Sequence, residues 1–140
     1  MRALLALLIA AAPAAAQPLP VVQLSAGMHL IRAEVAADFA SRAQGLMYRS
    51  AMASNAGMLF IFDETSAQCM WMKNTLIALS VAFIDERGTV INIEDMAPQT
   101  EDSHCARRPA RYALEMNRGW FAARGIKPGS RIGGIPGTKE

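Results

Sequence analysis

Apolar and polar residues alternate in several short stretches of this sequence, and a period of two predicts β-strands rather than helices. The clearest pair spans residues 77–85 and 89–95, on either side of a tight turn that contains Gly88. A continuous apolar run at 57–62 predicts a buried strand. The remaining predicted strands lie at 28–36, 68–73, 111–116 and 131–135.

Two stretches depart from this alternation and predict short helices. Residues 38–49 carry apolar side chains at helical spacing after Asp38, a residue type that caps helix N-termini. Residues 117–125 form the second helical stretch, which Gly125 ends. Many short strands with no alternation of strand and helix predict a mainly β, single-domain fold. We expect either a β-sandwich or a squat barrel, with two short helices.

The first residues have the three parts of a secretory signal. Arg2 precedes an apolar run from Ala3 to Ala12, Pro13 breaks the run, and small residues follow. The run is shorter than the roughly 20 residues that span a bilayer, so we expect no stable membrane insertion after cleavage. The predicted organisation is a signal peptide at 1–16, an irregular lead-in at 17–27, one β-rich domain at 28–133 and a frayed tail at 134–140, exported to the periplasm or medium.

The charge balance argues against nucleic acid or an anionic membrane as a partner. The chain has 14 Lys and Arg residues against 12 Asp and Glu, a net charge of +2, and without Arg2 the balance is 13 against 12, or about +1. Proteins that bind these partners concentrate much more basic charge. The sequence makes no prediction of oligomeric state.

Cys69 and Cys105 are the two cysteines of the chain, and export would place them in an oxidising compartment. We expect a disulfide between them. Two free thiols, or thiols used for ligation or redox chemistry, are the alternatives, although the chain lacks the C-x-x-C spacing that is typical of oxidoreductases.

Four blocks of the sequence, in this order, resemble the signature of the domain of unknown function family 192. They are "RAQGLMYR" (42–49), "GMLFIF" (57–62), "WMKNTLIALSVAFID" (71–85) and "LEMNRGW" (114–120). The resemblance covers roughly residues 24–133 and implies a compact, jelly-roll-like β-sandwich that is often exported, with no established activity. Members usually have Pro-Leu-Asp two residues after the "NT", whereas this chain has Ala78-Leu79-Ser80. A mechanism that needs a carboxylate at position 80 is therefore not expected.

Catalytic and metal sites find little support in the residue pattern, and we expect no cofactor. Met70 and Met72, with the cysteines and His104, are residue types that suit Cu(I), but two methionines on one strand face are more typical of a core. Asp85 and Glu115 could serve as paired carboxylates of a glycosidase. No G-x-S-x-G motif is present.

A polar binding patch is the favoured hypothesis. If Met70 and Met72 face the core, alternation places Trp71 and Lys73 together on the other face, with Asn74 beside them. Glu115 and Asn117 alternate in the same way on their own strand, and Arg42 is a possible contact for an anion. The structural alternative is that Trp71 covers the sheet and Lys73 forms an ion pair with Glu115.

These residues predict an exported, non-catalytic ligand-binding or accessory module of the cell envelope. Its ligand would be a small polar molecule, a glycan or a peptide, bound by Trp71, Lys73, Asn74, Glu115, Asn117 and Arg42. An envelope hydrolase that acts on glycan or peptide is the alternative, and Cu(I) handling through Met70 and Met72 is third.

Overall fold

The computed structural model describes residues 10–12 and 17–140, and the predicted signal peptide lies largely outside these residues. Nine strands and two short helices make the protein mainly β, as predicted. Their bounds are β1 Val21–Ala26, β2 His29–Ala36, α1 Phe39–Gln44, β3 Ala56–Ser66, β4 Cys69–Met70, β5 Leu79–Ile84, β6 Val90–Met96, β7 His104–Cys105, β8 Ala110–Asn117, α2 Trp120–Ala123 and β9 Ile132–Gly133.

Seven of the strands form one curled sheet in the order β6-β5-β8-β3-β2-β1-β9, in which β2 and β3 are parallel and the other neighbours antiparallel. The two edges meet: Thr89 bridges Arg131, and the Ile132 amide donates to the Gly88 carbonyl. The curled half-barrel, rather than two separate sheets, is therefore the architecture. Strands β4 and β7 form a separate two-stranded ribbon.

Each face of the sheet carries its own apolar core. Inside the curl lie large side chains such as Leu24, Ile31 and Leu114. On the other face, Met58, Phe60, Met72, Val81 and Phe83 belong to a second core. Side chains alternate between the faces along a strand, so Glu115 of β8 points to the second core while its two chain neighbours point to the first.

Two segments that the sequence predicted to be irregular are ordered parts of the fold. The lead-in contains β1, which pairs along its whole length with β2. The tail packs against the sheet: Ile135 is buried, the Tyr112 hydroxyl donates to the Pro136 carbonyl, and Lys139 forms an ion pair with Glu86. In both segments prolines and glycines suggested irregular chain, but hairpin pairing of the lead-in and packing of the tail against the sheet outweigh that local preference.

The strand predicted at 68–73 is also shorter than expected, because β4 ends at Met70. Beyond it the chain turns at Asn74, whose φ is +53°, so the strand cannot continue. Helix α1 is shorter than its predicted span but keeps the predicted cap, since the Asp38 carboxylate accepts from the Ser41 amide. Among the described residues, no helix is long and apolar enough to cross a membrane.

Candidate ligand-binding site

A narrow cavity of about 30 Å³ lies on the second-core side of β8, with Glu115 in its lining. It adjoins a more apolar surface groove of about 270 Å³, and the two share Arg42, Ala43, Phe60, Met70 and Trp71. We call the cavity and the groove together the cleft. Their combined size suits a small ligand, because typical pockets for drug-sized molecules have volumes of roughly 300–1,000 Å³.

Glu115 is the most unusual residue of the cleft. Its neighbours across the sheet are Met58 of β3 and Val81 of β5, and the side chain is 3% exposed. It forms no side-chain hydrogen bond or ion pair with any residue that the structure describes. Burial alone raises the pKa of Glu115 from 4.5 to about 8, because no neighbouring cation stabilises the ionised form. The carboxyl group is therefore mainly protonated at neutral pH.

Trp71 forms a wall of both the cavity and the groove and is 47% exposed. Lys73 does not line the cleft: its Nζ atom lies 5.2 Å from the centroid of the Trp71 ring. The structural ion pair considered from the sequence, between Lys73 and Glu115, is absent from the described residues. Trp71 and Glu115 therefore line the same cavity, and Lys73 does not line it.

The segment that carries Trp71 is joined to β7 and to the loop that precedes β7. Cys69 and Cys105 form a disulfide, as predicted, and face each other in the β4–β7 ribbon. The Met72 amide donates to the Thr100 carbonyl, and the Thr75 carbonyl accepts from the Gln99 amide. These contacts hold the backbone on both sides of Trp71.

Arg42 lines the cleft, but its guanidinium group is already engaged. It donates to the carbonyls of Ala37 and Ile61 and pairs with both carboxylate oxygens of Asp63. An anion would have to displace Asp63 to bind here. The second arginine of this stretch, Arg49, is similarly paired with Glu34.

The two predicted asparagines lie outside the lining of the cleft. Asn74 sits at the turn after Trp71, where its carbonyl accepts from the Tyr48 amide. Asn117 uses its side-chain amide to donate to the Met52 and Ala53 carbonyls, so it anchors the loop before β3 to β8. The Asn117 side chain and the Asn74 backbone carbonyl therefore have structural roles away from the cavity lining.

The sulfur atoms proposed for Cu(I) do not form a ligand set. Met72 is fully buried in the second core, as the core prediction required, and both cysteine sulfurs are consumed by the disulfide. Within residues 10–12 and 17–140, no group of three or more His, Cys, Asp or Glu side chains is arranged to hold a metal ion.

The paired-carboxylate hypothesis also fails on geometry. In the sheet Val81 lies opposite Glu115, and Asp85 comes four residues after Val81. At about 3.4 Å per residue this places Asp85 roughly 13 Å along the sheet, beyond the separation of about 5–9.5 Å that glycosidases use. Asp85 instead accepts from the Arg87 and Thr89 amides as a turn residue.

Ser80, where the resemblance implies an aspartate, points away from the cleft. It is buried opposite Met116, on the first-core side of the sheet. Its hydroxyl donates to Asp95 at 2.6 Å and accepts from the Gly119 amide at 2.9 Å. The aspartate that the resemblance implies at position 80 would therefore face the loop before α2 and not the cleft that contains Glu115.

Sequence reasoning did not identify the apolar walls of the cleft. The groove is lined by Phe39, Phe60 and Phe62, and Phe39 is 83% exposed at the start of α1. An aromatic residue at the solvent face of a short helix was the available signal. The pattern at 57–62 indicated only a core strand, so it gave no reason to place Phe60 and Phe62 at a groove.

Comparison with known proteins gives relatives but no activity. Residues 21–134 match the profile of DUF192, described as "Uncharacterized ACR", which confirms the resemblance. A candidate transcription regulator from Sinorhizobium meliloti 1021 is 42% identical, with a TM-score of 0.76, covering 81% of this chain and 92% of that chain. A protein of unknown function from Novosphingobium aromaticivorans DSM 12444 is 32% identical, with a TM-score of 0.76, covering 88% of this chain and 90% of that chain. No curated protein matched.

Proposed function

The chain belongs to the DUF192 family, which is uncharacterised, and from the cleft itself we propose that it is a non-catalytic domain that binds a small ligand. One observation carries the proposal: Glu115 is buried at the cavity with no partner among the described residues. Burying a polar group without a hydrogen bond costs roughly 1–3 kcal/mol in proteins, so a ligand that supplies the missing partner recovers that free energy.

The surroundings of Glu115 fit a binding site. Trp71 offers a flat apolar surface at the mouth, and Phe39 and Phe62 extend that surface along the groove. Apolar walls with few convergent polar groups are typical of small-molecule sites. The ligand would therefore place an apolar part in the groove and a polar group in the cavity.

A hydrolase is the second candidate, and the raised pKa of Glu115 is the observation that favours it. A carboxyl group that stays protonated near neutral pH is suited to general-acid catalysis. The cavity lining, however, contains no second carboxylate to activate water or act as a nucleophile. Binding without chemistry needs fewer groups and is the function we propose.

Export to the cell envelope belongs to the same proposal. The disulfide supports it, because disulfides persist in oxidising compartments. The description of the Sinorhizobium protein would suggest gene regulation, but among the residues that the structure describes six basic side chains are in ion pairs: Arg42, Arg49, Arg107, Arg108, Arg118 and Lys139. We therefore do not extend that description to nucleic-acid binding. N-terminal sequencing of the native protein tests export. If the protein is exported and cleaved as proposed, the chain starts at Gln17, and an uncleaved N-terminus would contradict export.

A blocked variant tests the binding site. Ala43 is exposed on α1 and lines both parts of the cleft, so Ala43→Trp fills it without burying a new group in the core. Ala40→Trp, at an exposed position of the same helix that does not line the cleft, is the matched control. In a thermal-shift screen of sugars, peptides, amines and organic acids, at least one compound should stabilise the wild type and Ala40→Trp but not Ala43→Trp. If no compound shows this pattern, the proposed function is wrong.

A further inference from the structure

We infer that the ligand is an organic cation, with an ammonium group seated against Glu115 and an apolar body lying in the aromatic groove. This inference deepens the proposed function and rests on it. Glu115 is 3% exposed, and its carboxyl group has no cation or hydrogen-bond donor from the residues that the structure describes. A ligand ammonium group would supply both at once, in a charge-assisted hydrogen bond.

Two aromatic walls reach the cavity and favour the same charge there. The faces of aromatic rings attract cations, tryptophan most strongly, and Trp71 and Phe60 line both the cavity and the groove, while Phe39 and Phe62 line the groove that holds the apolar body. The Trp71 ring already contacts a cation of the protein, since Lys73 Nζ lies 5.2 Å from its centroid. Met70 adds a polarisable thioether to the wall. Aromatic walls around a buried carboxyl group are the recognition chemistry of amines.

The size of the cleft sets limits on the ligand. A cavity of about 30 Å³ holds roughly two water-sized groups, which suits a primary ammonium group. The adjoining groove of about 270 Å³ suits one ring or a short alkyl chain. A benzylammonium-sized molecule therefore fits the two compartments, whereas a long polymer does not fit within them.

An anionic ligand is disfavoured by the charges around the cavity. On α1, Arg42 faces the cleft, but its guanidinium group is paired with Asp63 of β3. The segment after β4 contributes Lys73, which lies over Trp71, and β5 carries no titratable residue. Among these elements no free cation faces the cavity, so a ligand carboxylate or phosphate would lose its hydration there with no positive charge to compensate.

The proton balance gives the inference a distinctive signature. The free protein holds Glu115 as a neutral acid up to a pKa of about 8, whereas an alkyl ammonium ion stays charged to about pH 10. Binding joins the ammonium ion to the carboxylate, and the proton of Glu115 leaves to solvent. Affinity should therefore rise roughly tenfold per pH unit below about pH 8. A neutral ligand that accepts the Glu115 proton in a hydrogen bond would instead bind with constant affinity below about pH 8 and lose affinity above it.

Calorimetry with three probes that share one ring tests the inference. Benzylamine carries the cation, benzyl alcohol is neutral and benzoate is anionic. We expect benzylamine to bind at least tenfold more tightly than either, to release close to one proton in buffers of different ionisation enthalpy, and to lose at least tenfold in affinity with Glu115→Gln. Ala40→Trp should keep this binding and Ala43→Trp should lose it. Nα-acetyl-lysine amide, as a fourth probe, distinguishes an amine borne by a peptide from a free one.

The failures of the two proposals can be told apart. If benzyl alcohol or benzoate binds as tightly as benzylamine, or if no amine binds at millimolar concentration, the inference that the ligand is an organic cation is wrong. If the cleft nevertheless passes the screen with the Ala43→Trp and Ala40→Trp variants, the proposed function stands. Benzylamine binding that survives Glu115→Gln in a folded variant also overturns the inference.

Discussion

Lys73 Nζ lies 5.2 Å from the centroid of the Trp71 ring, on a segment that has already left the β4–β7 ribbon. The two side chains therefore contact each other as predicted, but Trp71 alone lines the cleft. Lys73 lies over the indole ring without lining the cleft, and the buried polar group in the cavity is Glu115.

Glu115 should make the stability of the protein depend on pH in a way that Glu115→Gln removes. The pKa is about 8 in the folded state and 4.5 as the ordinary value, so the folded protein binds one more proton between these limits. The free energy of unfolding of the wild type should fall by roughly 1.4 kcal/mol per pH unit in this window, relative to the variant. Below about pH 4.5 and above about pH 8 the free energies of unfolding of the two proteins should differ by a constant amount.

Urea denaturation of both proteins across this range checks the difference. The comparison is internally matched, because carboxyl groups whose pKa is lowered in the fold, such as that of Glu86 beside Lys139, are common to both proteins. A constant difference between wild type and variant at all pH values would mean that Glu115 titrates normally.

The Cys69–Cys105 disulfide should contribute roughly 3–4 kcal/mol to stability, because it closes a loop with a sequence separation of 36 residues. We expect the double variant Cys69→Ser/Cys105→Ser to lose about this much free energy of unfolding in urea. Wild-type protein treated with a reductant should match the double variant, which itself should not respond to the reductant. Equal stability of the oxidised and reduced wild type would contradict this role.

Asn117 should act as a structural anchor and not as a ligand contact. Asn117→Ala removes its hydrogen bonds to the Met52 and Ala53 carbonyls, and we expect a loss of about 1–2 kcal/mol in the free energy of unfolding. Exposed Asn55 is the control, and Asn55→Ala should change stability by less than about 0.5 kcal/mol. A stable Asn117→Ala variant that has lost ligand affinity would show that Asn117 contacts the ligand.

Ser80 should be needed to connect β6 with the loop before α2. Ser80→Ala leaves the Gly119 amide without its acceptor and Asp95 without its donor, at an expected cost of about 1–3 kcal/mol. Exposed Ser103 provides the matched Ser→Ala control, with little change expected. Chemical denaturation measures both, and benzylamine affinity should be unchanged because Ser80 lies on the opposite face of the sheet.

The sequence predicted much of the fold because its strands carry strong local signals, as in the pair around Gly88, which appears as β5 and β6. Alternation led to Trp71 and Glu115, both of which line the cavity, although Trp71 lies beyond the end of β4 at Met70. The strand geometry on which the Lys73 prediction depended has therefore already ended before Lys73, and the chain turns at Asn74, whose φ is positive. The engagement of Arg42 by Asp63 and of Asn117 by residues 52–53 joins distant parts of the chain, which no local pattern reports.

The protonation state of Glu115 is the central claim, and NMR measures it most directly. Protein labelled with ¹³C at the glutamate side chains, with Glu115→Gln used to assign the signal, can be titrated without ligand. We predict that the Glu115 carboxyl signal changes with a midpoint near pH 8, the value that burial without a partner implies. A midpoint at the ordinary value of about 4.5 would show that the carboxyl group is solvated or paired, and would contradict the account.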